Sequence, residues 1–462
     1  MKRRWLMATG LVAVLALVAS ACGDDDTTTT TAAPTTTAAP TATTEAPDDE
    51  VAFDVGVTPA PCEDAVNDGN GCIYLGIISD LSDGPFAAVA IPITDAQKHF
   101  WQRVNADGGL DGFDVIIRDE DTFDAHYTGP GTVEGFELMV DRVLAFAQIL
   151  GTPQTQAVIP RMIEESVVAA PATWWSGWAF SDQGGDHILE SGAPYCLEAI
   201  NGMTAMHGPM TENFGEDYTW ALVRFGGDYG GDYGNGAIIA AALMELGEPL
   251  FDHLQTSFAA GGAPDEAVGL ILTHRPDLIV FVTGPREMAT ITGGAFTAGH
   301  QAFQVLGAAP TWNVGLLQIA ELVPLLEAVY NSTIPWGGWT TDTPGHRAMR
   351  DAAEANETTP NGGYVAGWVW SYPIKALLEA AIASGDLTRA NVLAVAGSLA
   401  GVDYEGMLPT RSYVGAVNDQ IVRSSLLARV HKEAPDGLRV VAPEFTSPLA
   451  DGFDLAAPCD LG

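Results

Sequence analysis

The sequence predicts an α/β protein whose parallel sheets form two lobes. Short apolar segments of strand length alternate with segments of helical periodicity. The alternation forms two successive series, which begin near residues 73 and 220. The body of about 400 residues is also too long for one hydrophobic core.

The first series contains four predicted strands at 73–79, 113–118, 146–150 and 167–170, and three helices at 92–105, 133–144 and 156–165. The second contains strands at 220–225 and 278–282, with a helix at 237–246. Ligands of parallel α/β sheets bind at the carboxyl ends of strands. We therefore expect the site in the loops that follow Ser79, Leu150, Ala170, Phe225 and Val282.

The first residues predict export. Lys2, Arg3 and Arg4 precede a short apolar stretch that ends in small residues and Cys22. We interpret 1–21 as a signal peptide and Cys22 as a lipidated residue that anchors the chain to the outer face of the cell membrane. The lipobox resemblance is imperfect because Ala19 stands where Leu or Val is usual. An ordinary cleaved signal is the alternative.

A tether of low complexity is predicted over 22–57. It combines an acidic start with a Thr/Ala/Pro tract, which buries too little apolar surface to offset the cost of ordering. We expect it to be disordered and extended, holding the folded body away from the lipid surface.

The charge balance excludes one class of partner. There are 59 acidic and 20 basic residues, and the formal net charge is −39. Such a surface repels nucleic-acid phosphates, so no nucleic acid is expected. No later segment has eighteen uninterrupted apolar residues, so the sequence predicts no transmembrane helix.

Five cysteines are present, and four remain if Cys22 is lipidated. In an exported protein this predicts two disulfides, and three pairings are possible. We favour Cys62–Cys72, which closes a short loop before the first strand.

No cysteine or histidine pair has metal-ligand spacing, and no nucleophile, zinc or phosphate-loop motif occurs. We expect no metal, no cofactor and no enzymatic activity.

The loop motifs resemble a known family. They occur at 73–79 with 84–87, at 105–112, at 151–153, at 171–173 and at 232–236. In this order they resemble type I periplasmic binding proteins, above all the Leu/Ile/Val (branched-chain amino acid) and amide group of ABC transporter substrate-binding proteins. The resemblance spans about residues 73–432.

The resemblance implies two Rossmann-like lobes with parallel sheets joined by three crossovers. Lobe 1 would comprise 58–199 and 337–410, lobe 2 would comprise 200–336 and 411–445, and a tail would follow over 446–462. The first crossover would lie near Cys196. The end of the chain could reach it there, which favours a Cys196–Cys459 disulfide.

In the first lobe, the resemblance implies that Thr155, Gln156, Ala172 and Thr173 bind the ligand. The Thr155 hydroxyl and nearby backbone N–H groups, including that of Gln156, would hold a carboxylate at a helix N-terminus. The alternative is a simple helix cap. Trp174 would wall the pocket or serve only in packing.

In the second lobe, the resemblance implies Tyr233 as a cleft tyrosine, with Tyr229 as a rival for that position. Glu287 would face a ligand ammonium, or would be only a solvated acid. Phe86 and Trp336, from the first loop and the second crossover, would add apolar walls, with hinge packing as the alternative for Trp336.

The sequence thus predicts a monomeric, lipid-anchored solute-binding protein of an ABC importer. Its ligand would be an amino acid, amide or similar small polar molecule, held in a cleft that closes by a hinge. The closed form would dock on permease subunits. The alternative is a lipid-anchored sensor or interaction protein with the same fold.

Overall fold

A computed structural model describes residues 51–461. The predicted signal peptide, Cys22 and most of the predicted tether lie outside the described residues. The folded body begins earlier than the predicted boundary at 57. Ala52 and Phe53 pair with Asp386 and Leu387 in a parallel ladder, and the buried Val57 pairs with Ile73.

Fourteen strands occur in the described residues: β1 Ala52–Phe53, β2 Val57–Thr58, β3 Gly71–Ser79, β4 Phe113–Ile116, β5 Thr122–Asp124, β6 Ala145–Ile149, β7 Trp220–Arg224, β8 Asp252–Leu254, β9 Leu278–Val282, β10 Gln304–Gly307, β11 Tyr330–Ile334, β12 Asp386–Leu387, β13 Ser425–Val430 and β14 Leu438–Phe445. The same residues form thirteen α-helices: α1 Ala87–Ala106, α2 Gly129–Met139, α3 Thr152–Glu165, α4 Tyr195–Phe214, α5 Asp228–Leu243, α6 Asp265–His274, α7 Pro285–Thr297, α8 Val323–Val329, α9 Pro344–Ala355, α10 Gly362–Ala383, α11 Arg389–Ala396, α12 Val417–Gln420 and α13 Pro448–Asp451.

The first sheet is built around β3. Strands β2 and β4 pair with its first half, whereas β5 and β6 pair with its second half, and only β2 runs antiparallel. Helices α1 and α10 pack closely against each other beside this sheet. Two glycines permit the approach, because a Cβ at Gly363 or Gly367 would lie 2.5 Å from Val89 O or 2.2 Å from Ile93 O.

The second sheet has the order β14-β13-β11-β10-β9-β7-β8. The five strands from β11 to β8 are parallel, and β13 and β14 add an antiparallel edge. Strand β9 is buried along its whole length. This confirms the prediction for 278–282, because a strand covered on both faces needs an apolar side chain at every position.

The predicted α/β class with two parallel-rich sheets is confirmed, with local differences. Residues 167–170 form only isolated bridges, through which Ala169 pairs with Phe146 and Ile188. The predicted lobe boundary after residue 199 falls inside α4, which packs against α5 of the second lobe. The predicted separate tail also belongs to this lobe, because α13 packs against α4.

Both favoured disulfides are present, Cys62–Cys72 and Cys196–Cys459. The second joins the first turn of α4 to the end of the chain. There Cys459 N donates to Ser176 Oγ at 2.9 Å, and Trp175 Nε1 donates to Asp460 Oδ1 at 2.8 Å. Across residues 51–461, no helix combines the length and apolarity needed to cross a membrane.

Candidate ligand-binding cleft

A cavity lies where the strand-end loops of the two sheets meet. Its walls come from the segments that follow β3, β5, β6, β10 and β11, from residues 172–174, from α1 and α10, from the first turns of α4 and α5, and from the turn between β13 and β14. This is the position expected for a ligand in a parallel α/β architecture. Nine of the lining residues are aromatic: Phe86, Tyr127, Trp174, Tyr195, Tyr229, Trp312, Trp336, Trp339 and Trp370.

Phe86 is positioned by a buried carboxylate. Asp80 follows β3, and its two oxygens accept hydrogen bonds from Gly84 N at 3.0 Å and Phe86 N at 2.8 Å. Burial raises the pKa of Asp80, and these two N–H groups oppose that rise. The Phe86 ring then contacts Tyr127, with centroids 4.7 Å apart, and Tyr229, with centroids 5.9 Å apart.

Trp174 is held in place by a hydrogen bond to the buried Glu198. The indole Nε1 donates to Glu198 Oε2 at 2.6 Å, while Glu198 Oε1 accepts from Ala309 N and Thr333 Oγ1, each at 2.9 Å. Glu198 is fully buried, and this burial raises its pKa to about 8. The carboxyl group therefore sets the orientation of the indole that faces the cavity.

The aromatic wall continues from Trp174 across both lobes. Its ring centroid lies 4.5 Å from that of Tyr195, 4.9 Å from Trp336 and 5.6 Å from Trp370. Rings at these distances pack against each other in tilted or edge-to-face geometry. A ligand therefore contacts the faces and edges that point into the cavity and does not enter between these rings.

Asp436 lies at another part of the cavity, in the turn between β13 and β14. Its side chain is 4 % exposed, and Oδ1 accepts a hydrogen bond from Leu438 N at 3.3 Å. Its carbonyl oxygen accepts from Trp312 Nε1 at 3.2 Å. Burial raises the pKa of Asp436 to about 6. Backbone N–H groups, including that of Trp339, stabilise the carboxylate and oppose this rise.

The cavity offers few other polar groups. Thr173 Oγ1 is already bonded to Thr152 Oγ1 and Trp178 Nε1, each at 3.0 Å. Trp370 is 1 % exposed, and its Nε1 has no hydrogen-bond partner within the part of the chain that the structure describes. Among the described residues that line the cavity, Asp436 alone is an acid and none is Lys, Arg or His.

Five predicted site residues meet in this cavity: Phe86, Ala172, Thr173, Trp174 and Trp336. They stand directly after strand ends or at a crossover, where the sequence placed them.

Two other predicted residues lie on α3, away from the cavity lining. The hydroxyl of Thr155 donates to Ile149 O at 3.0 Å and Gly151 O at 2.8 Å. The hydroxyl therefore ties the first turn of the helix to the end of β6, but it is not the cap that the alternative proposed, because α3 begins at Thr152 and its N-cap is Gly151. Gln156 is exposed on the outer face of the helix.

Tyr233 and Glu287 also stand outside the lining. The Tyr233 hydroxyl lies 2.8 Å from Thr333 Oγ1 in the interior of the second lobe, whereas the rival Tyr229 lines the cavity. Glu287 is 3 % exposed and accepts from Phe258 N at 2.9 Å. Its carboxyl group is thus buried, not solvated, and lies outside the cavity lining.

Several lining residues were not predicted from the sequence: Tyr127, Tyr195, Trp312, Trp339, Trp370 and Asp436. One available signal was the pairing of tryptophan with glycine at 336–339, where Gly337 and Gly338 also line the cavity. Adjacent glycines let a backbone approach a ligand closely. A second glycine pair, Gly362 and Gly363, lines the cavity at the start of α10.

Comparison with known proteins places the chain among solute-binding folds. The family model described as periplasmic binding protein matches residues 73–435. A fatty acid ABC transporter substrate-binding protein from Thermomonospora curvata is 24 % identical, covers 88 % of this chain and 97 % of its own, and has a TM-score of 0.76.

More distant structures share the fold. A branched chain amino acid ABC transporter protein from Thermus thermophilus with bound valine is 16 % identical, with coverages of 83 % and 98 % and a TM-score of 0.68. A solute binding protein of an ABC transporter from Rhodopseudomonas palustris, in complex with p-hydroxybenzoic acid, is 14 % identical, with coverages of 81 % and 97 % and a TM-score of 0.63. A search of curated protein sequences gave no significant match.

Proposed function

Because this chain belongs to the periplasmic binding protein family, we propose that it is the exported solute receptor of an ABC importer. It binds its ligand between the lobes without transforming it and presents the closed form to permease subunits. The predicted signal peptide, Cys22 and tether support a lipid anchor at the outer face of the membrane, and we expect the anchored protein to be a monomer.

The ligand that best fits the cavity is mainly apolar and carries one or two hydrogen-bonding groups. The observation that carries this proposal is the lining itself, with nine aromatic side chains and one acid. Apolar surface removed from water contributes roughly 25 cal/mol per Å² to binding. The unpartnered Nε1 of Trp370 suits an acceptor on the ligand, because a buried donor left unpaired is costly.

The titles of two relatives support the apolar part of the ligand, whereas the acid groups of their ligands are not carried over to this chain. The Thermomonospora curvata protein is described as a fatty acid receptor, and the Rhodopseudomonas palustris protein holds an aromatic acid. A small amino acid or amide is the alternative that the sequence predicted and the Thermus thermophilus protein favours. The cavity fits that alternative less well, because neither Glu287 nor Thr155 lines it.

The proposal is tested by calorimetry and a thermal-shift screen. Both use the natural form of the protein, purified from the cell that produces it. We expect 1-hexanol, 2-phenylethanol and their derivatives to raise the melting temperature, because a ligand that binds only the folded state stabilises it by mass action. Alanine, glutamine and acetamide should not raise it. Trp336→Ala should abolish the shift, and Leu138→Ala, a change at an exposed position on α2, should leave it intact.

The opposite pattern would decide for the alternative. If alanine or glutamine stabilises the protein and no hexyl or phenyl compound does, the apolar ligand class is wrong. Binding that survives Trp336→Ala unchanged would place the ligand elsewhere on the chain.

A further inference from the structure

We propose that the ligand carries an ammonium group, which pairs with Asp436 while its apolar remainder lies along the aromatic wall. This inference rests on the proposed function and narrows it to organic cations. It depends on three observations: the buried acid, the composition of the lining around it, and the indoles beside it.

The first observation is that Asp436 is a buried acid among apolar neighbours. Its side chain is 4 % exposed, and at about pH 7.5 it is largely ionised because burial raises its pKa only to about 6. A buried charge without a cationic partner is expensive for a protein. An ammonium on the ligand would supply that partner in the closed cleft.

The second observation is the composition of the lining. Among the described residues that form it, no Lys, Arg or His faces the cavity. A ligand carboxylate would enter a space whose one charged side chain is also negative. In a partly desolvated site, the repulsion between two nearby carboxylates is stronger than the attraction of neutral hydrogen-bond donors for the ligand carboxylate. The lining therefore selects against fatty acids and zwitterions, and in favour of simple amines.

The third observation is that two tryptophans contact Asp436, one through its indole N–H and one through its backbone. Trp312 donates its Nε1 to the Asp436 carbonyl at 3.2 Å, and the backbone N–H of Trp339 stabilises the Asp436 carboxylate. Both side chains line the same cavity. Tryptophan faces attract ammonium ions placed within about 6 Å of the ring centroid. Asp436 and the two tryptophans thus line one cavity, in which a ligand can present a cation to the acid and apolar surface to aromatic side chains.

A matched series separates charge from shape. Hexylamine, 1-hexanol, hexanoate and norleucine share a chain of six carbons and are cationic, neutral, anionic and zwitterionic at about pH 7.5. We measure their affinities by calorimetry on protein purified as its cell produces it. Hexylamine should bind at least about 10-fold more tightly than hexanol, as expected when a charge-assisted contact replaces a neutral one.

The variant Asp436→Asn keeps the size of the side chain and removes its charge. It should reduce the affinity for hexylamine to that for hexanol. The affinity for hexanol should stay within about 2-fold of its value in the unsubstituted protein. A merely structural role of Asp436 would not produce this pattern. Asp351→Asn, at an exposed acid on α9, is the matched control and should change neither value. An unchanged melting temperature verifies that both variants are folded.

The outcomes distinguish the two proposals. Hexanol or hexanoate binding as tightly as hexylamine would overturn the ammonium assignment and leave the apolar ligand class standing. Norleucine binding as tightly as hexylamine would overturn the selection against zwitterions. An equal loss of hexylamine and hexanol binding in Asp436→Asn would also overturn the ammonium assignment, since the acid would then only shape the cavity. If no compound of the series binds, both proposals fail.

Discussion

Two successive turns of α5 carry the same tripeptide and serve different purposes. Asp228-Tyr229-Gly230 and Asp232-Tyr233-Gly234 are four residues apart, so their side chains lie on one face of the helix, about one turn apart. Tyr229 lines the cavity, and its hydroxyl lies 3.0 Å from Thr311 Oγ1. Tyr233 is fully buried, and its hydroxyl lies 2.8 Å from Thr333 Oγ1.

The acids of the two turns differ in the same way. Asp232 accepts hydrogen bonds from Ser176 N, Ser176 Oγ and Cys196 N. In contrast, Asp228 Oδ2 has no hydrogen-bond partner within the described residues. The two turns have the same local sequence, so their distance from the strand end decides which of them lines the cavity. The first turn abuts the end of β7, and the second lies in the interior of the lobe.

The largest expected effect separates the two tyrosines. Tyr233→Ala should lower the free energy of unfolding by about 3–5 kcal/mol, because it leaves a cavity in a close-packed interior. Tyr229→Ala should instead reduce the affinity for a phenyl or hexyl ligand by about 10-fold, the value of a lost aromatic contact of roughly 1.4 kcal/mol. Urea denaturation and calorimetry measure the two quantities. Equal losses of stability with unchanged affinity in both variants would contradict the comparison.

An intermediate effect should appear on acidification. Burial raises the pKa of Asp228 to about 6 and that of Asp232 to about 7. An aspartate in the unfolded chain has a pKa of about 4. Between that pH and the raised pKa values, the two acids stay protonated in the folded protein but are ionised in the unfolded chain. Stability should therefore fall as the pH rises from about 5 to about 8, with a lower melting temperature at the higher pH.

Asparagine variants sharpen this contrast. Asp232→Asn should remove more of the pH dependence than Asp228→Asn, because its pKa is raised further. Melting curves at both pH values provide the measurement. A pH dependence that both variants leave unchanged would mean that other acids cause it.

The smallest expected effect concerns the hydroxyl groups alone. Tyr233→Phe removes the hydrogen bond to Thr333 Oγ1, and Tyr229→Phe removes the one to Thr311 Oγ1 together with a long one to Thr283 O at 3.4 Å, so each should lower the free energy of unfolding by about 1 kcal/mol. Denaturant titration of the two variants tests this equality. A cost several-fold larger at Tyr233 would show that its hydroxyl also supports Thr333 and Glu198 beneath the aromatic wall.

Much of the architecture could be predicted from the sequence because strand and helix periods are local properties. The fully apolar run 278–282 predicted the buried β9, and the loop after β3 predicted that Phe86 would line the cavity. Even the disulfide between Cys196 and Cys459 followed once the resemblance placed Cys196 near the hinge.

The rest of the site depends on packing between distant parts of the chain. The helix predicted at 237–246 begins at Asp228, and this earlier start brings Tyr229 to the cavity in place of Tyr233. Glu287 stands in the first turn of α7, where the Phe258 backbone takes up its carboxyl group. Asp436 and Trp312 are far apart in sequence, and only the folding of β13 and β14 brings them together.

The fastening of the chain's end has a practical consequence for handling the protein. Cys459 is bonded to α4, and Asp460 contacts Trp175, the neighbour of the cavity residue Trp174. A purification tag or fluorescent reporter fused close after Asp460 would therefore begin near Trp175.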